Sequence, residues 1–342
     1  MYSEVHTLPD GFFSVCAQEL WRILPDSRPT LIHLEGVQPR PLFTSTLLHG
    51  NEDVGFRALQ TVLAGYRRKK LPRSLSIFIG NVAAARHGVR RLPGQPDYNR
   101  VWPGGDEAPD SPEAAMMQRV TAMMERRNVY LSVDLHNNAG MNPHYACINR
   151  LDPPFLHLGS LFSRTVVFFT RPRGVQSSAF SRLCPAVTLE CGKIGNDLGV
   201  RHAAEFINAC LHLRHLPAHP LAGQDIDLYH TVAIVKIPPQ FTLGIDDDSA
   251  DINLAGDIER YNFSELPPGT VLGTIRPGSG AHLEVVGESG DNALNRFIRI
   301  ERGHILTTRP VMPSMLTTSI EAIRQDCLGY FMERLPLPRP SA

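Results

Sequence analysis

Three short motifs hold the side chains best suited to chemistry. The first is His49-Gly50-Asn51-Glu52. A histidine and a carboxylate three residues apart can converge on one cation, the imidazole giving a nitrogen and the glutamate a charged oxygen. Such a pair taken alone arises often by chance. The second motif is Asp134-Leu135-His136, followed by Asn137 and Asn138. His136 could complete a two-histidine, one-carboxylate set that leaves a fourth zinc position for water, whereas a single histidine at a strand end is more often just a satisfied polar residue. Asp134 could orient that imidazole from behind or pair with it in a salt bridge. The third motif is Glu190 in TLECGKIGN. A carboxylate beside an activated water can take its proton during attack on a carbonyl and return it to the departing amine. A turn glutamate in an ion pair would read the same way. Arg90-Arg91 and Asn99-Arg100, in the loop DYNRVWPG, could polarise a scissile carbonyl and clamp a substrate carboxylate, although paired arginines in a polar loop are ordinarily solvated charge.

Each motif lies at the end of an expected element. LFTSTLLHG at 42–50 reads as a strand, and 52–66 repeats apolar residues at three-four spacing, as a helix packed on a sheet does. SLSIFIGNV at 74–82 is a buried strand. A Pro/Gly-rich loop then leads to a helix at 112–126 capped by Ser111. VYLSVDLH at 129–136, HYACIN at 144–149 and AVTLECG at 186–192 read as strands, and 198–216 as an amphipathic helix. Residues 11–24 have helical spacing and 31–37 the apolar density of a strand. Strands alternating with helices predict an α/β fold, a mixed, mostly parallel sheet covered by helices on both faces. Open sheets of this kind bind ligands at the carboxyl ends of their strands, where all three motifs fall.

Beyond about residue 225 the texture changes to short apolar runs broken by turns: TVAIVKIP, PPGTVLGTIRPGSG, AHLEVVGES and RFIRIERGH. They predict a smaller, antiparallel, barrel-like β domain, closed by a helix at about 318–334. The expected boundaries are 1–222 for the catalytic domain and 223–335 for the β-rich domain, with PLPRPSA as a loose tail.

Taken in chain order, His49, Glu52, Arg90/Arg91, Asn99-Arg100, His136 and Glu190 resemble the zinc carboxypeptidase superfamily. The resemblance is closest to its succinylglutamate desuccinylase/aspartoacylase branch and covers about residues 30–310. The 84 positions between Glu52 and His136, and a β-rich unit after the catalytic domain, favour that branch. The resemblance implies a zinc carboxypeptidase-like fold and one Zn²⁺ per chain held by His49, Glu52 and His136. It implies Glu190 as general base, Arg91 on the scissile carbonyl, and Asn99, Arg100 and Arg90 as substrate contacts. The implied activity is hydrolysis of the amide of an N-acyl amino acid or related small amide. Iron, cobalt or manganese can occupy similar nitrogen/oxygen sites. The loop reaching Asn99 is about one residue longer than is usual in the branch, so both arginines fall near the expected place. NNAGMNPHYACIN differs from the corresponding segment of well-characterised deacylases, so substrate identity does not carry over. A metallocarboxypeptidase acting on peptide C-termini is the second enzymatic reading. A metal-containing binding protein without turnover is the third, and the complete set of ligands and base argues against it.

Composition bounds the rest. The 342 residues are 42% hydrophobic and 20% charged, with formal net charge zero, which describes a folded globular chain with no general pull on phosphate backbones or anionic lipid. Neither nucleic acid nor membrane is an expected partner. The expected partner is a small carboxylate-bearing amide, with homo-oligomerisation left open. Only four of the 34 basic residues are lysines, and an arginine bias suits an acidic substrate without arguing for one. The six cysteines form no Cys-x-x-Cys pair, and the first thirty residues lack a basic start and an apolar run, so the cytoplasm is the expected compartment. Cys191 reads as a buried small residue, and Asp246-Asp247-Asp248 as a solvated loop without EF-hand spacing. His144 and Tyr145 read as polar edge residues rather than pocket lining, and Arg164, Arg171, Arg173 and Arg182 read equally as a second anion contact or as a solvated arginine-rich loop.

Overall fold

The computed structural model describes residues 1–337, and the chain divides into two compact units. The first comprises Met1–Asn137 and His144–Asp227. Its strands are β1 (Ser3–Val5), β2 (Thr30–Leu34), β3 (Gly36–Thr46), β4 (Leu71–Ile79), β5 (Leu131–Asn138), β6 (Tyr145–Ile148), β7 (Thr165–Phe168) and β8 (Ala186–Lys193). They lie in the order β1-β2-β4-β3-β5-β8-β6-β7. Neighbours β1/β2, β3/β4, β3/β5 and β6/β7 run parallel, while β2/β4 and β6/β8 run antiparallel. The central strands carry continuous apolar runs such as Ile77-Phe78-Ile79, all buried, as a sheet covered on both faces requires.

The helices of this unit are α1 (Val54–Ala64), α2 (Val82–His87), α3 (Pro112–Arg126), α4 (Pro153–Phe162), α5 (Gln176–Phe180) and α6 (Asp197–His212). Helix α3 has the predicted limits because Ser111 accepts the Ala114 N–H at 3.1 Å and Pro112 fills the first turn, where its missing N–H is harmless. Helix α1 buries Val54, Ala58, Leu59, Val62 and Leu63 at helical spacing, and α6, which packs against it, buries Val200, Ala203, Ala204, Ile207 and Leu211. In β3, Pro39 and Pro41 cannot donate to a ladder, and the register with β4 shifts between Gln38 and Leu42. The helix expected over 11–24 shrinks to a 3₁₀ turn at Ala17–Arg22, between the left-handed Gly11 (φ 81°) and Pro25. Helices α2, α4 and α5 and strand β7 were not foreseen, although Pro153-Pro154 at the start of α4 is a helix-start signal.

The second unit comprises Asn138–Pro143 and Leu228–Pro336. Its strands are β9 (Asp227–Lys236), β10 (Leu243–Ile245), β11 (Ile252–Leu254), β12 (Val271–Ile275), β13 (Glu284–Gly287), β14 (Ile298–Glu301), β15 (His304–Thr307), β16 (Met312–Ser314) and β17 (Gly329–Arg334). β9 pairs antiparallel with β13 and β17, and β17 with β16. A separate sheet runs β10-β11-β12-β15-β14, antiparallel except for β10/β11. This sheet is an open path rather than the expected barrel. Ile252, Leu272, Val285, Phe297, Ile305 and Phe331 belong to a core of this unit's own residues. The closing helix expected over 318–334 is also corrected. It is a six-residue helix, Ile320–Gln325, capped by Ser319, after which Gly329–Arg334 adds a strand whose Tyr330 and Phe331 favour the extended form. Of the predicted tail, residues 338–342 lie outside the described residues. Among the described residues no helix is long and apolar enough to cross a membrane.

Candidate metal centre

The first two candidate ligands leave the sheet through a strained turn. β3 ends at Thr46, and buried Leu47 takes a left-handed φ of 55°, a conformation costing a bulky residue about 1–2 kcal/mol. Two backbone bonds hold it, Gly80 N–H to the Thr46 carbonyl at 3.0 Å and Asn81 N–H to the Leu47 carbonyl at 2.6 Å. Gly50 then passes so close to α2 that a Cβ would lie 2.2 Å from the Ala85 nitrogen, so only glycine fits. The turn closes with Glu52 N–H on the His49 carbonyl, and α1 begins two residues later. Alternation along β5 puts Asp134 and His136 on one face at the strand's carboxyl end.

These elements bring His49, Glu52 and His136 together. One ligand atom from each lies within 4.8 Å of the others, and all three residues are buried. Both imidazoles turn Nδ1 toward the same carboxylate: His49 Nδ1 is 2.8 Å from Glu52 Oε1 and His136 Nδ1 is 2.7 Å from Glu52 Oε2. Their other nitrogens are also taken by carboxylates, His49 Nε2 by Asp97 at 3.0 Å and His136 Nε2 by Asp134 at 2.8 Å. Ser45 donates to the other oxygen of Asp134 at 2.7 Å, and the Asn99 N–H donates to Asp97 at 2.7 Å.

The proton accounting in this cluster decides its chemistry. If each Nε2–H donates to its aspartate, each Nδ1 presents a lone pair to a carboxylate oxygen, and acceptor faces acceptor. Positive charge must sit between them, either as protons on both imidazoles, whose ring centroids are 5.0 Å apart, or as one cation that both Nδ1 atoms and Glu52 ligate. Glu52, Asp97 and Asp134 are all buried, with Arg90 against the first two and the Arg100 charge also acting on Asp97, and a divalent cation suits both the donor set and the charge. The surrounding carboxylates favour positive charge on both rings. Burial disfavours charge on His136, yet Asp134 and Glu52 raise its pKa well above the usual range. For His49, burial and Arg90 push down, and Glu52 with Asp97 outweighs them. Against burial, the imidazoles hold Glu52 far below the ordinary carboxylate range, and Arg90 with His49 does the same for Asp97.

The family model of the succinylglutamate desuccinylase/aspartoacylase catalytic domain matches residues 42–216, just over half the chain and every residue of this cluster. The chain belongs to that family. Solved structures share the fold. The succinylglutamate desuccinylase of Chromobacterium violaceum superposes with a TM-score of 0.58 at 18% identity, over 88% of this chain and 86% of that one. A succinylglutamate desuccinylase/aspartoacylase of Rhodobacter sphaeroides gives 0.59 at 16%, over 89% and 88%. Murine aminoacylase 3 gives 0.57 at 16%, over 87% and 96%. No curated protein matches the chain by sequence.

The remaining candidates take different places. Asn99 is buried, its Nδ2 3.2 Å from His136 Nε2 and its Oδ1 accepting the Gln176 N–H. Arg90, expected as a substrate contact, reaches Asp97 at 2.8 Å and Glu52 at 3.7 Å. Arg91 pairs with Glu107 at 3.5 Å, and Arg100 donates to the Asn99 carbonyl at 2.8 Å. Glu190 is buried near the end of β8, opposite Tyr145 of β6. Burial pushes the Cys191 thiol well up, and the charges of Glu190 and Glu52 add to that shift. Asp97, Asn137 and Gln176 were not assigned roles from sequence. Asn137 donates its backbone N–H to Glu52, accepts the Val54 N–H and donates to the Gly192 carbonyl, so it ties β5, α1 and β8 together. A carboxylate two residues before Asn99 was the available signal for Asp97.

Proposed function

We propose that this chain is a zinc-dependent amidohydrolase that removes the acyl group from an N-acyl amino acid or a related small amide. The observation that carries the reading is the convergence of both Nδ1 atoms on Glu52 with an aspartate behind each Nε2, within a chain of the desuccinylase/aspartoacylase family. His49, Glu52 and His136 would hold the ion. Zinc supplies Lewis acidity there, making water acidic enough to attack near neutral pH and stabilising charge that develops on the carbonyl oxygen.

The chain's own residues do the rest. Asp97 and Asp134 hold each imidazole proton on Nε2 and keep Nδ1 directed inward. The Glu190 carboxylate takes the proton of the attacking water and delivers it to the departing nitrogen. Arg91 faces the developing oxyanion, while Asn99 and Arg100 seat the substrate carboxylate. Arg90 neutralises Asp97 and Glu52 and so keeps the carboxylate-rich cluster from repelling an acidic substrate. The Gln176 N–H fixes the Asn99 amide so that its Nδ2 faces the centre.

The test is free-amine release by zinc-loaded wild type and Glu190→Gln over a panel of N-acyl amino acids and short peptides with free C-termini. We expect wild type to cleave N-acyl amino acids and Glu190→Gln to lose about 10²–10³-fold or more in kcat with zinc retained. Preferential cleavage of the peptides would make the protein a carboxypeptidase. Undiminished turnover by Glu190→Gln would remove that residue from the mechanism.

A further inference from the structure

The six residues Asn138–Pro143, which begin with the last residue of the third ligand's strand, belong to the other unit. Asn137 is part of the first unit and so is His144, but Asn138–Pro143 clusters with Leu228–Pro336. The segment is held there by its backbone. The Met141 side chain is 62% exposed, yet its N–H donates to Glu259 Oε2 at 2.9 Å and its carbonyl accepts from Asn262 Nδ2 at 2.9 Å. Asn142 Oδ1 accepts the Met315 N–H at 2.9 Å. Gly140 lies so close that a Cβ would sit 2.0 Å from the Leu316 carbonyl oxygen, and that same oxygen accepts a bond from Asn262.

Glu259 and Asn262 are themselves fixed. The other Glu259 oxygen accepts the Thr318 N–H at 3.1 Å and the Thr318 hydroxyl at 3.2 Å, and Asn262 Oδ1 accepts the Leu316 N–H at 2.9 Å. Two side chains one helical turn apart thus grip both the hexapeptide and the 315–318 segment.

What lies at each end of the hexapeptide gives the grip its meaning. Upstream are His136, a candidate ligand, and Asn137, whose N–H reaches Glu52 at 3.2 Å. Downstream is Tyr145, paired with Glu190, and His144, whose ring packs against Gly192 at a distance that excludes a Cβ. In the sheet, β8 lies between β5 and β6. The chain leaving β5 therefore spans two strand spacings, about 10 Å, before it becomes β6. The hexapeptide is the covalent link between the ligand strand and the strand paired with Glu190.

We propose that Glu259 and Asn262 are positioning residues for the metal centre, acting through Asn138–Pro143 to hold His136 and Glu190 in register. The inference rests on the metal centre proposed above. It concerns residues outside the span 42–216 that the family's catalytic domain matches.

The test uses the full chain: wild type, Glu259→Ala, Asn262→Ala, Glu259→Gln and, as a control, Ile305→Ala in the core of the same unit. Zinc affinity is measured by competition with a chromophoric chelator, beside Tm, kcat and KM. Glu259→Ala and Asn262→Ala should weaken zinc binding about tenfold or more and lower kcat, leaving KM within about twofold. Glu259→Gln, which retains an acceptor for the Met141 N–H, should recover most of both. Ile305→Ala should lower Tm at least as far with zinc affinity unchanged. Zinc affinities of the two alanine variants equal to wild type, or reduced only as much as in Ile305→Ala, would overturn the proposal. A chain that binds zinc but cleaves no amide would overturn the functional reading alone, and the zinc-affinity comparison would still decide the role of Glu259 and Asn262.

Discussion

Four imidazole nitrogens and three carboxylates, packed where water has little access, leave few electrostatic solutions, and the aspartates behind the histidines select among them. Removing the charge but not the shape of either aspartate tests this. Asp97→Asn and Asp134→Asn should each weaken zinc binding about 10–100-fold, because the amide no longer stabilises the Nε2–H tautomer. Competition with a chelator checks it, and affinities equal to wild type would show that the aspartates serve packing only. The residues of this centre differ in how far the sequence betrays them. His49 and Glu52 are three apart in one turn, and His136 stands near the end of a strand with an obvious pattern, so type and spacing are enough to single them out as candidates. Asp97 meets His49 across 48 positions from inside an irregular loop, where no periodicity marks a direction. Arg90 and Arg91 are adjacent, and only three-dimensional placement sends one to Asp97 and the other to Glu107.

The elements that carry these residues were legible wherever burial follows a period. β4, β5, β8, α1, α3 and α6 are long or strongly apolar and lie close to the expected positions. Short pieces such as α5 and β7, four or five residues each, offer too few periods to register. The same limit explains the C-terminal strand: GYFMER has apolar residues at positions compatible with either a helix or a strand, and pairing with β9 decides between them. Two predictions belong at this scale. Gly50→Ala forces a Cβ into the backbone of α2, so we expect loss of zinc binding together with a lower Tm in thermal denaturation. His33, buried in β2 with Nδ1 2.8 Å from Ser76 Oγ, has its pKa pushed down to about 4, chiefly by burial, with Arg127 and His6 adding to the effect. The folded imidazole stays neutral to that pH, while the unfolded one protonates near its ordinary value of about 6.5. The unfolded state therefore binds more protons between these values, and stability falls as the pH drops from about 6.5 to 4, by up to about 3 kcal/mol. Urea denaturation across that window should give a shallower pH slope for His33→Gln. Equal slopes would remove His33 from acid sensitivity.

At the scale of the molecule, the chain divides into two units, and every candidate ligand lies in the first. A ligand that binds only the folded form stabilises it by about 4 kcal/mol when present at about a thousand times its Kd. Calorimetry should therefore show a chelator lowering the transition of the first unit most, with a smaller shift in that of the second transmitted through Asn138–Pro143. One transition that moves as a whole would show the units unfolding together. A change of texture near residue 225 is legible in the sequence, but the clustering of Asn138–Pro143 with the later unit is not. Nothing in a six-residue polar stretch reveals that its hydrogen-bond partners lie more than a hundred positions away.

That detour has a consequence for synthesis. The chain emerges from the ribosome N-terminus first, and at about 5–20 residues per second the hexapeptide waits roughly 6–24 seconds before Asn262 is made. During that interval the backbone groups of Met141 have no native partners, and the strands on either side are joined by an untethered span. A nascent chain halted at residue 227 would contain His49, Glu52, His136 and Glu190 and still lack the residues that grip the span between their strands.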